Sequence, residues 1–262
     1  MNKLRLTASS LALATAMIAS HASAGGVFEV IHPDVDHGGF ELEILNGFAL
    51  ENVDSGEEES VHEFALGYGV TSFWKTTFAV EFANIDGEGF EYEAFEWENV
   101  FLLPLGGHDD DHGHDGDHSG EGFALEALGF YAALEVPDQG GFDDGAVVLG
   151  PIAEVQVGPV SVLGNLFVEI PFDGDEDEGL VYAAAASVPV SDTVAIGVEG
   201  FGEIENAFGS GGSESAHFIG PAAYFELEVD EGLEIEPRLA VLFGIEDETP
   251  DATLSLNIEI KF

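Results

Sequence analysis

The chain contains no cysteine and only two methionines, Met1 and Met17. Without cysteine it forms no disulfide, holds no metal through a thiolate and has no cysteine nucleophile. Basic residues are nearly as scarce, with five lysines and arginines against 52 aspartates and glutamates among 262 residues. Proteins that bind nucleic acid or other polyanions need a basic surface, so this class of partner is excluded.

The acidic residues do not make the chain a disordered tail, because 45% of its residues are hydrophobic and 21 are phenylalanine. Acidic and apolar residues are interleaved along the sequence. No uncharged apolar run in residues 25–262 reaches the ~18 residues that a membrane-spanning helix needs.

Residues 1–24 have the pattern of a secretory signal peptide. Lys3 and Arg5 give a positive start, residues 11–18 are apolar, and residues 22–24 read Ala-Ser-Ala, as at a signal-peptide cleavage site. The pattern predicts export from the cytoplasm. Both methionines would be removed with this segment, so the mature chain would contain no sulfur.

The last ten residues, TLSLNIEIKF, alternate apolar with polar side chains. A period of two is typical of a strand with one apolar and one polar face. The same rhythm predicts twelve strands, at roughly 39–50, 61–70, 76–85, 90–103, 122–135, 145–157, 160–170, 180–190, 194–204, 216–229, 233–245 and 252–262.

The lengths and connections of these strands favour a membrane barrel. Most are longer than the ~5–6 residues of an ordinary strand and close to the ~9–11 of a tilted membrane strand. Short turns alternate with longer acidic loops such as 51–60 and 171–179. We therefore predict an all-β fold, a closed antiparallel transmembrane β-barrel of about 12 strands with both termini in the periplasm. A soluble β-sandwich is the alternative, but it needs neither a secretion leader nor an even strand count.

The C-terminus supports this prediction. A final strand that ends in Phe262, with apolar residues at every second position, resembles the C-terminal assembly signal of Gram-negative outer-membrane β-barrel proteins. Residues 69–103 look like a strand-turn-strand-loop-strand segment of loosely characterised, transporter-like proteobacterial barrels. The resemblance implies outer-membrane lipid and the barrel-assembly machinery as partners and small solutes as cargo, and it implies no catalytic residues.

The predicted domains are a signal peptide at 1–24, a periplasmic N-terminal arm at 25–38, and a barrel at 39–262 with a His/Asp-rich loop at 106–122. Two predicted strands change phase. In 90–103 the apolar residues switch from even to odd positions, which predicts a bulge near Ala94. Strand 122–135 also mixes its phases.

If the apolar side chains face lipid, the acidic residues between them face the lumen, where only Arg238 and Lys261 oppose them. Carboxylates lining a pore attract cations and repel anions, so a conducting pore would be selective for small cations or pass small neutral solutes. The predicted pore-lining acids are Glu41, Glu43, Glu63, Glu81, Glu126, Glu154, Glu169, Glu199, Glu203, Glu226, Glu228, Glu234, Glu236 and Glu259.

Two alternatives stay open. Twelve strands lie between the eight that side chains can fill and the sixteen that leave an open channel, so a non-conducting, structural barrel is the second hypothesis. Halophilic or marine surface chemistry explains the acidic loops without any further function.

Residues 108–118 read HDDDHGHDGDH, and imidazole with carboxylate suits Zn²⁺, Ni²⁺, Co²⁺ or Cu²⁺. The glycines around the stretch favour transient capture of metal over a fixed site, and a solvated polar loop is an equally good interpretation. No resident cofactor is required. The predicted ligands are His108, Asp110, Asp111, His112, His114, Asp115, Asp117 and His118, with His32, Asp34 and His37 as a second cluster. Both clusters are predicted on the periplasmic side.

His62 and His217 each follow a serine by two positions, Ser60 and Ser215. A catalytic triad also needs a third, orienting residue, which the sequence does not reveal. We therefore predict that the protein is not an enzyme, with a lipid-processing barrel as the third hypothesis.

Overall fold

The computed structural model describes residues 28–50, 58–85, 89–105, 122–138, 141–174, 178–209, 215–230, 232–246 and 249–262. The strands are β1 (Phe40–Ala49), β2 (Glu58–Thr71), β3 (Trp74–Ile85), β4 (Gly89–Leu102), β5 (Phe123–Pro137), β6 (Ala146–Val157), β7 (Val160–Pro171), β8 (Gly179–Ser191), β9 (Val194–Ile204), β10 (Ser215–Phe225), β11 (Leu227–Asp230), β12 (Leu233–Gly244) and β13 (Thr253–Lys261). A short 3-10 helix covers Gly141–Asp144. None of the helical segments in these ranges has the length and hydropathy to cross a membrane.

The strands close into a barrel. Each strand from β1 to β9 pairs antiparallel with the next, β13 pairs with both β12 and β1, and β12 pairs with both β10 and β11. β10 and β11 form one interrupted barrel strand, because both pair with β12 and only Glu226 separates them. The fold is therefore a closed, twelve-stranded antiparallel barrel, which confirms the predicted fold class.

The two faces of the sheet differ in chemistry. On β2 and β3, Phe64, Leu66 and Phe78 are 43%, 49% and 51% exposed, and they point outward. Their sequence neighbours Glu63 and Ala65 are buried inside. An apolar outer surface around a polar interior is the architecture of Gram-negative outer-membrane barrels, so the predicted resemblance holds for the fold.

Two bulges explain the phase changes seen in the sequence. In β4, Tyr92 pairs with Phe82 and Ala94 with the adjacent Glu81, so Glu93 is the extra residue of a β-bulge. The bulge predicted near Ala94 is confirmed. A second irregularity, at Glu126 in β5, accounts for the mixed phase of that strand.

The turns and termini divide the barrel into two ends. One end, here called the short-turn end, carries the turns between Thr71 and Trp74, between Val157 and Val160, and between Ser191 and Val194. The C-terminus lies there too, because Phe262 and the first residue of β1, Phe40, exchange backbone hydrogen bonds of 2.9 Å. The opposite end is called the long-loop end.

Residues 28–38, here called the N-terminal segment, lie inside the barrel. The chain turns inward at the short-turn end, where Gly38 has a φ of 87° and its N–H donates to the Gly69 carbonyl at 2.8 Å. A Cβ atom at Gly69 would collide with the Asp36 carbonyl oxygen, so this close approach requires glycine. Residues 28–38 of the arm predicted at 25–38 thus lie within the lumen, where side chains of the barrel wall bind them. Its assignment to the periplasmic side stays a prediction.

Candidate functional site

The inner end of the N-terminal segment is fixed by Phe28. Its side chain is fully buried, with ring centroids 5.1 Å from Phe201 and 4.9 Å from Phe218. Its carbonyl oxygen accepts hydrogen bonds from Arg238 Nη1 and Asn257 Nδ2, both at 2.9 Å. Burying a phenylalanine in this way contributes roughly 1.5–3 kcal/mol, so the segment is docked and not merely enclosed.

Asn165 holds the middle of the segment. Its Oδ1 accepts from the Ile31 N–H at 2.8 Å, and its Nδ2 donates to the Ile31 carbonyl at 2.9 Å. The side-chain amide thus provides the donor and acceptor that a neighbouring strand would provide. Asn165 is itself buried in the wall on β7, and backbone groups left without such partners inside a protein are costly.

The outer end of the segment is held by charge. Asp34 lies 3.9 Å from Lys75 Nζ and 3.6 Å from Lys261 Nζ. Burial raises the pKa of Asp34, but the two ammonium groups lower it by more, so its pKa lies below the usual value. Asp34 therefore carries a negative charge that binds it to the wall.

Lys75 corrects one prediction from the sequence, in which the third strand began at residue 76 and only Arg238 and Lys261 were lumen cations. It is the second residue of β3, and its side chain points inward to Glu41 Oε2 at 2.7 Å. Lys261 similarly contacts Glu236 at 2.7 Å and Glu259 at 3.3 Å. The lumen wall thus presents at least three cations, and each is already paired with carboxylates.

Arg238 joins the segment to the wall. Its guanidinium group forms an ion pair with Glu199, with Nε donating to Oε1 at 2.6 Å. The Tyr224 hydroxyl donates to the same carboxylate at 2.7 Å, and Arg238 Nη1 also donates to Ser255 Oγ at 2.7 Å. The Arg238 and Glu199 side chains are only 11% and 1% exposed, so the pair is removed from bulk water.

The strand register puts nearly all the predicted pore-lining acids on the inward face. Glu226 and Glu228 are exposed at the short-turn end, and Glu126 is exposed at its bulge. The others are buried or half-buried in the lumen: Glu41, Glu43, Glu63, Glu81, Glu154, Glu169, Glu199, Glu203, Glu234, Glu236 and Glu259. Their role in conduction stays a prediction.

Sequence reasoning missed three further lumen acids, Glu96, Glu98 and Glu135. The bulge at Glu93 reverses the facing of Glu96 and Glu98, and Glu135 pairs with Glu96 across the strands. Carboxylate oxygens of Glu63, Glu81 and Glu96 lie within 4.8 Å of one another, all in buried residues.

A cavity of about 370 Å³ lies between the N-terminal segment and the wall formed by β1, β6 to β10, β12 and β13, and it reaches the turn residues Asp192 and Thr193 at the short-turn end. We call this cavity the vestibule. Two further cavities in the lumen measure only about 50 and 30 Å³. Charged and titratable side chains line the vestibule: Glu29, His32, Glu43, Glu154, Glu199, Glu226, Glu236, Arg238 and Glu259.

The predicted metal ligands fall into two groups. Residues 108–118 lie outside the residues that the structure describes. His32, Asp34 and His37 are described, but the structure does not bring their ligand atoms together as a metal-binding group. His32 lines the vestibule, whereas Asp34 is held by the two lysines.

No protein-family model matches the chain, and no curated protein sequence matches it. Among solved structures, the KdgM porin in complex with disordered oligogalacturonate has a TM-score of 0.49 at 7% identity, covering 85% of this chain and 98% of that one. The NanC porin has a TM-score of 0.48 at 8% identity, covering 84% and 98%. LpxR from Salmonella typhimurium has a TM-score of 0.42 at 10% identity, covering 85% and 99%. At these identities the likeness concerns the barrel fold alone.

Proposed function

We propose that the protein is an outer-membrane channel for small cations or small neutral solutes, and that its N-terminal segment controls passage through the lumen. The observation that carries the proposal is the acid-lined vestibule, about 370 Å³ in volume, which reaches solvent-exposed residues at the short-turn end. Carboxylates in a cavity with low-dielectric walls raise the local concentration of cations and repel anions.

The charge balance of the lumen supports cation selectivity. The ammonium groups of Lys75 and Lys261 lie against Glu41 and Glu236, and Arg238 lies against Glu199. Further carboxylates, such as those of Glu154 and Glu226, line the vestibule as well. The net field in the vestibule is therefore negative, and it favours a permeating cation over an anion.

We expect a cation-selective reversal potential when the protein is placed in a planar bilayer under a KCl gradient. Substituting Glu154→Gln and Glu226→Gln together should move that potential toward zero, because both carboxylates line the vestibule. Glutamine keeps the acceptor that Ser161 Oγ uses on Glu154 at 2.8 Å, so local structure is retained. The matched control is Asp251→Asn, which removes an exposed charge before β13 at the long-loop end. An anion-selective potential, or an equal shift in the control, contradicts the proposal.

The filled inner lumen favours a second candidate function, a non-conducting structural barrel. Phe28 packs in the lumen against Phe201 and Phe218, and the other two cavities measure only about 50 and 30 Å³. The two candidates differ in one measurement. A structural barrel stays electrically silent even when the N-terminal segment is removed, whereas a gated channel then conducts.

The His/Asp-rich loop is proposed to capture divalent metal transiently, and this proposal rests on composition alone. Four histidines at positions 108, 112, 114 and 118 offer borderline nitrogen ligands that suit Zn²⁺. Zinc binding to the purified protein, measured by titration calorimetry, should be largely lost when all four are changed to alanine. The control variant His217→Ala, on β10 of the barrel wall, should retain it. Unchanged zinc binding by the four-alanine variant rules the loop out as the site.

A further inference from the structure

Three side chains on the outer face of β1 and β2 are joined by hydrogen bonds. Ser60 Oγ lies 3.1 Å from His62 Nε2, and His62 Nδ1 lies 2.8 Å from Asn46 Oδ1. Asn46 is the direct register partner of His62 on the neighbouring strand. The neighbours Leu45, Val61 and Glu63 are buried on the lumen side, so these three side chains face away from the lumen.

The orientation of Asn46 fixes where the histidine proton lies. Asn46 Nδ2 donates to the Leu256 carbonyl at 2.9 Å, and a carbonyl only accepts. Asn46 Oδ1 therefore faces His62 Nδ1 and accepts a hydrogen bond from its N–H group. The lone pair of Nε2 then accepts a hydrogen bond from the Ser60 hydroxyl. A general base needs this arrangement to activate a serine.

The group lies near the long-loop end of the barrel wall among aromatic side chains, as expected at the headgroup level of an outer-membrane barrel. Ser60 is near the start of β2 and pairs with Phe48 near the end of β1, so the group stands close to the long-loop boundary of the barrel wall. The His62 ring is 5.4 Å from Phe48 and 5.6 Å from Phe90, and Phe90 is 58% exposed. Ser60 is only 8% exposed, so an acyl chain reaches it by displacing an aromatic side chain at the lipid surface.

We propose that Ser60, His62 and Asn46 form a catalytic triad that hydrolyses carboxylic esters of membrane lipids. This activity is separate from conduction, since none of the three residues faces the lumen. His62 Nε2 removes the Ser60 proton as Oγ attacks the ester carbonyl carbon, and the same proton then passes to the departing alcohol as the ester C–O bond breaks. Water, activated by His62, cleaves the acyl-serine ester, so that ester and water yield carboxylic acid and alcohol.

Neighbouring groups fit this chemistry. Asn84 on β3 is the register partner of Ser60, which puts an amide side chain beside the nucleophile on the same face. Side-chain amides stabilise the oxyanion in acyl-transfer sites of this kind. Asn46 acts as a positioning residue, because its side chain hydrogen-bonds His62 and the β13 backbone.

The chain contains its own matched control. Ser215 and His217 have the same spacing on β10, but Ser215 Oγ donates to Glu246 at 3.1 Å and His217 Nδ1 bonds the Tyr182 hydroxyl at 2.9 Å. Neither of these hydrogen bonds joins Ser215 to His217. Ser215 therefore lacks the base that would activate it, and Ser215→Ala should leave lipid hydrolysis unchanged.

The test uses the purified protein in vesicles of phosphatidylethanolamine and phosphatidylglycerol that carry a fluorescent acyl chain. We expect release of labelled fatty acid, and loss of at least about 100-fold in rate in Ser60→Ala and in His62→Ala. A fluorophosphonate probe should attach to Ser60, located by peptide mass spectrometry, and not to Ser215. Absence of labelling and hydrolysis in a folded wild-type protein overturns the proposal, as does hydrolysis that survives in folded Ser60→Ala.

Asn46 gives a second readout that a purely structural role would not produce. Asn46→Ala should lower the rate at least about tenfold with little change in the apparent lipid affinity, because the imidazole loses its orientation. Asn46→Asp retains an acceptor for Nδ1–H and should restore most of the rate. Each variant is compared only if it shows wild-type heat-modifiable migration and strand content. Equal activity of Asn46→Ala and wild type excludes the positioning role and the triad with it.

Discussion

A chain that lacks residues 28–38 is expected to conduct at several times the level of the complete protein in a planar bilayer, with the same cation selectivity. In the complete protein these residues occupy the lumen. Phe28 is fully buried there, and the Asn165 side chain hydrogen-bonds both the N–H and the carbonyl of Ile31. Residues of this segment also line the two smaller cavities, so removing the segment joins those cavities to the vestibule. The acidic wall of the vestibule stays in place, so conductance rises while selectivity does not change.

Adding the segment back is the control for this experiment. A synthetic peptide with the sequence of residues 28–38, FEVIHPDVDHG, should block the enlarged current when it is applied on the short-turn side, and a scrambled peptide should not. Blocking should weaken at high salt, because Asp34 is attracted by Lys75 and Lys261. A truncated protein that folds but conducts no better than the complete chain would show that the segment is not the gate, and continued silence would favour the structural barrel.

The barrel fold could be predicted from the sequence because it depends on a pattern within each strand. Each strand alternates lipid-facing and lumen-facing residues with a period of two, and a closed barrel imposes this on every strand. All twelve predicted strands are found, with the tenth interrupted at Glu226. Even the bulge at Glu93 was visible, since an extra residue shifts the phase of Phe95 and Trp97 relative to Phe90.

The position of the N-terminal segment inside the lumen could not be predicted, because its contacts involve residues far away in sequence. It forms no strand, and its backbone is satisfied by side chains that lie 134 to 229 residues away in sequence. Nothing in the residues around Phe28 or Ile31 indicates that Asn165 and Asn257 will be their partners. The group of Ser60, His62 and Asn46 could be predicted in part. The sequence shows the Ser-x-His spacing, but it does not show the strand register that puts Asn46 beside His62.

Arg238→Ala is expected to destabilise the protein by roughly 3–5 kcal/mol, because it leaves a buried carboxylate without its counter-ion. Glu199 is 1% exposed, and after the substitution only the Tyr224 hydroxyl among the contacts described above still bonds it. Urea unfolding in detergent micelles, followed by the fluorescence of Trp74 and Trp97, measures the change. A loss within about 0.5 kcal/mol of wild type would show that the pair is not effectively buried.

The companion substitution separates stability from gating. Glu199→Gln in the Arg238→Ala background removes the buried charge, so it should recover much of the stability, and the two-residue cycle should show strong coupling. It does not restore the Arg238 hydrogen bond to the Phe28 carbonyl, which is one of the two that fix the inner end of the segment. The double variant should therefore be nearly as stable as wild type yet open more often. If both properties return together, Arg238 acts on the lumen wall alone, and the segment is held by Phe28, Asn165 and Asn257 without it.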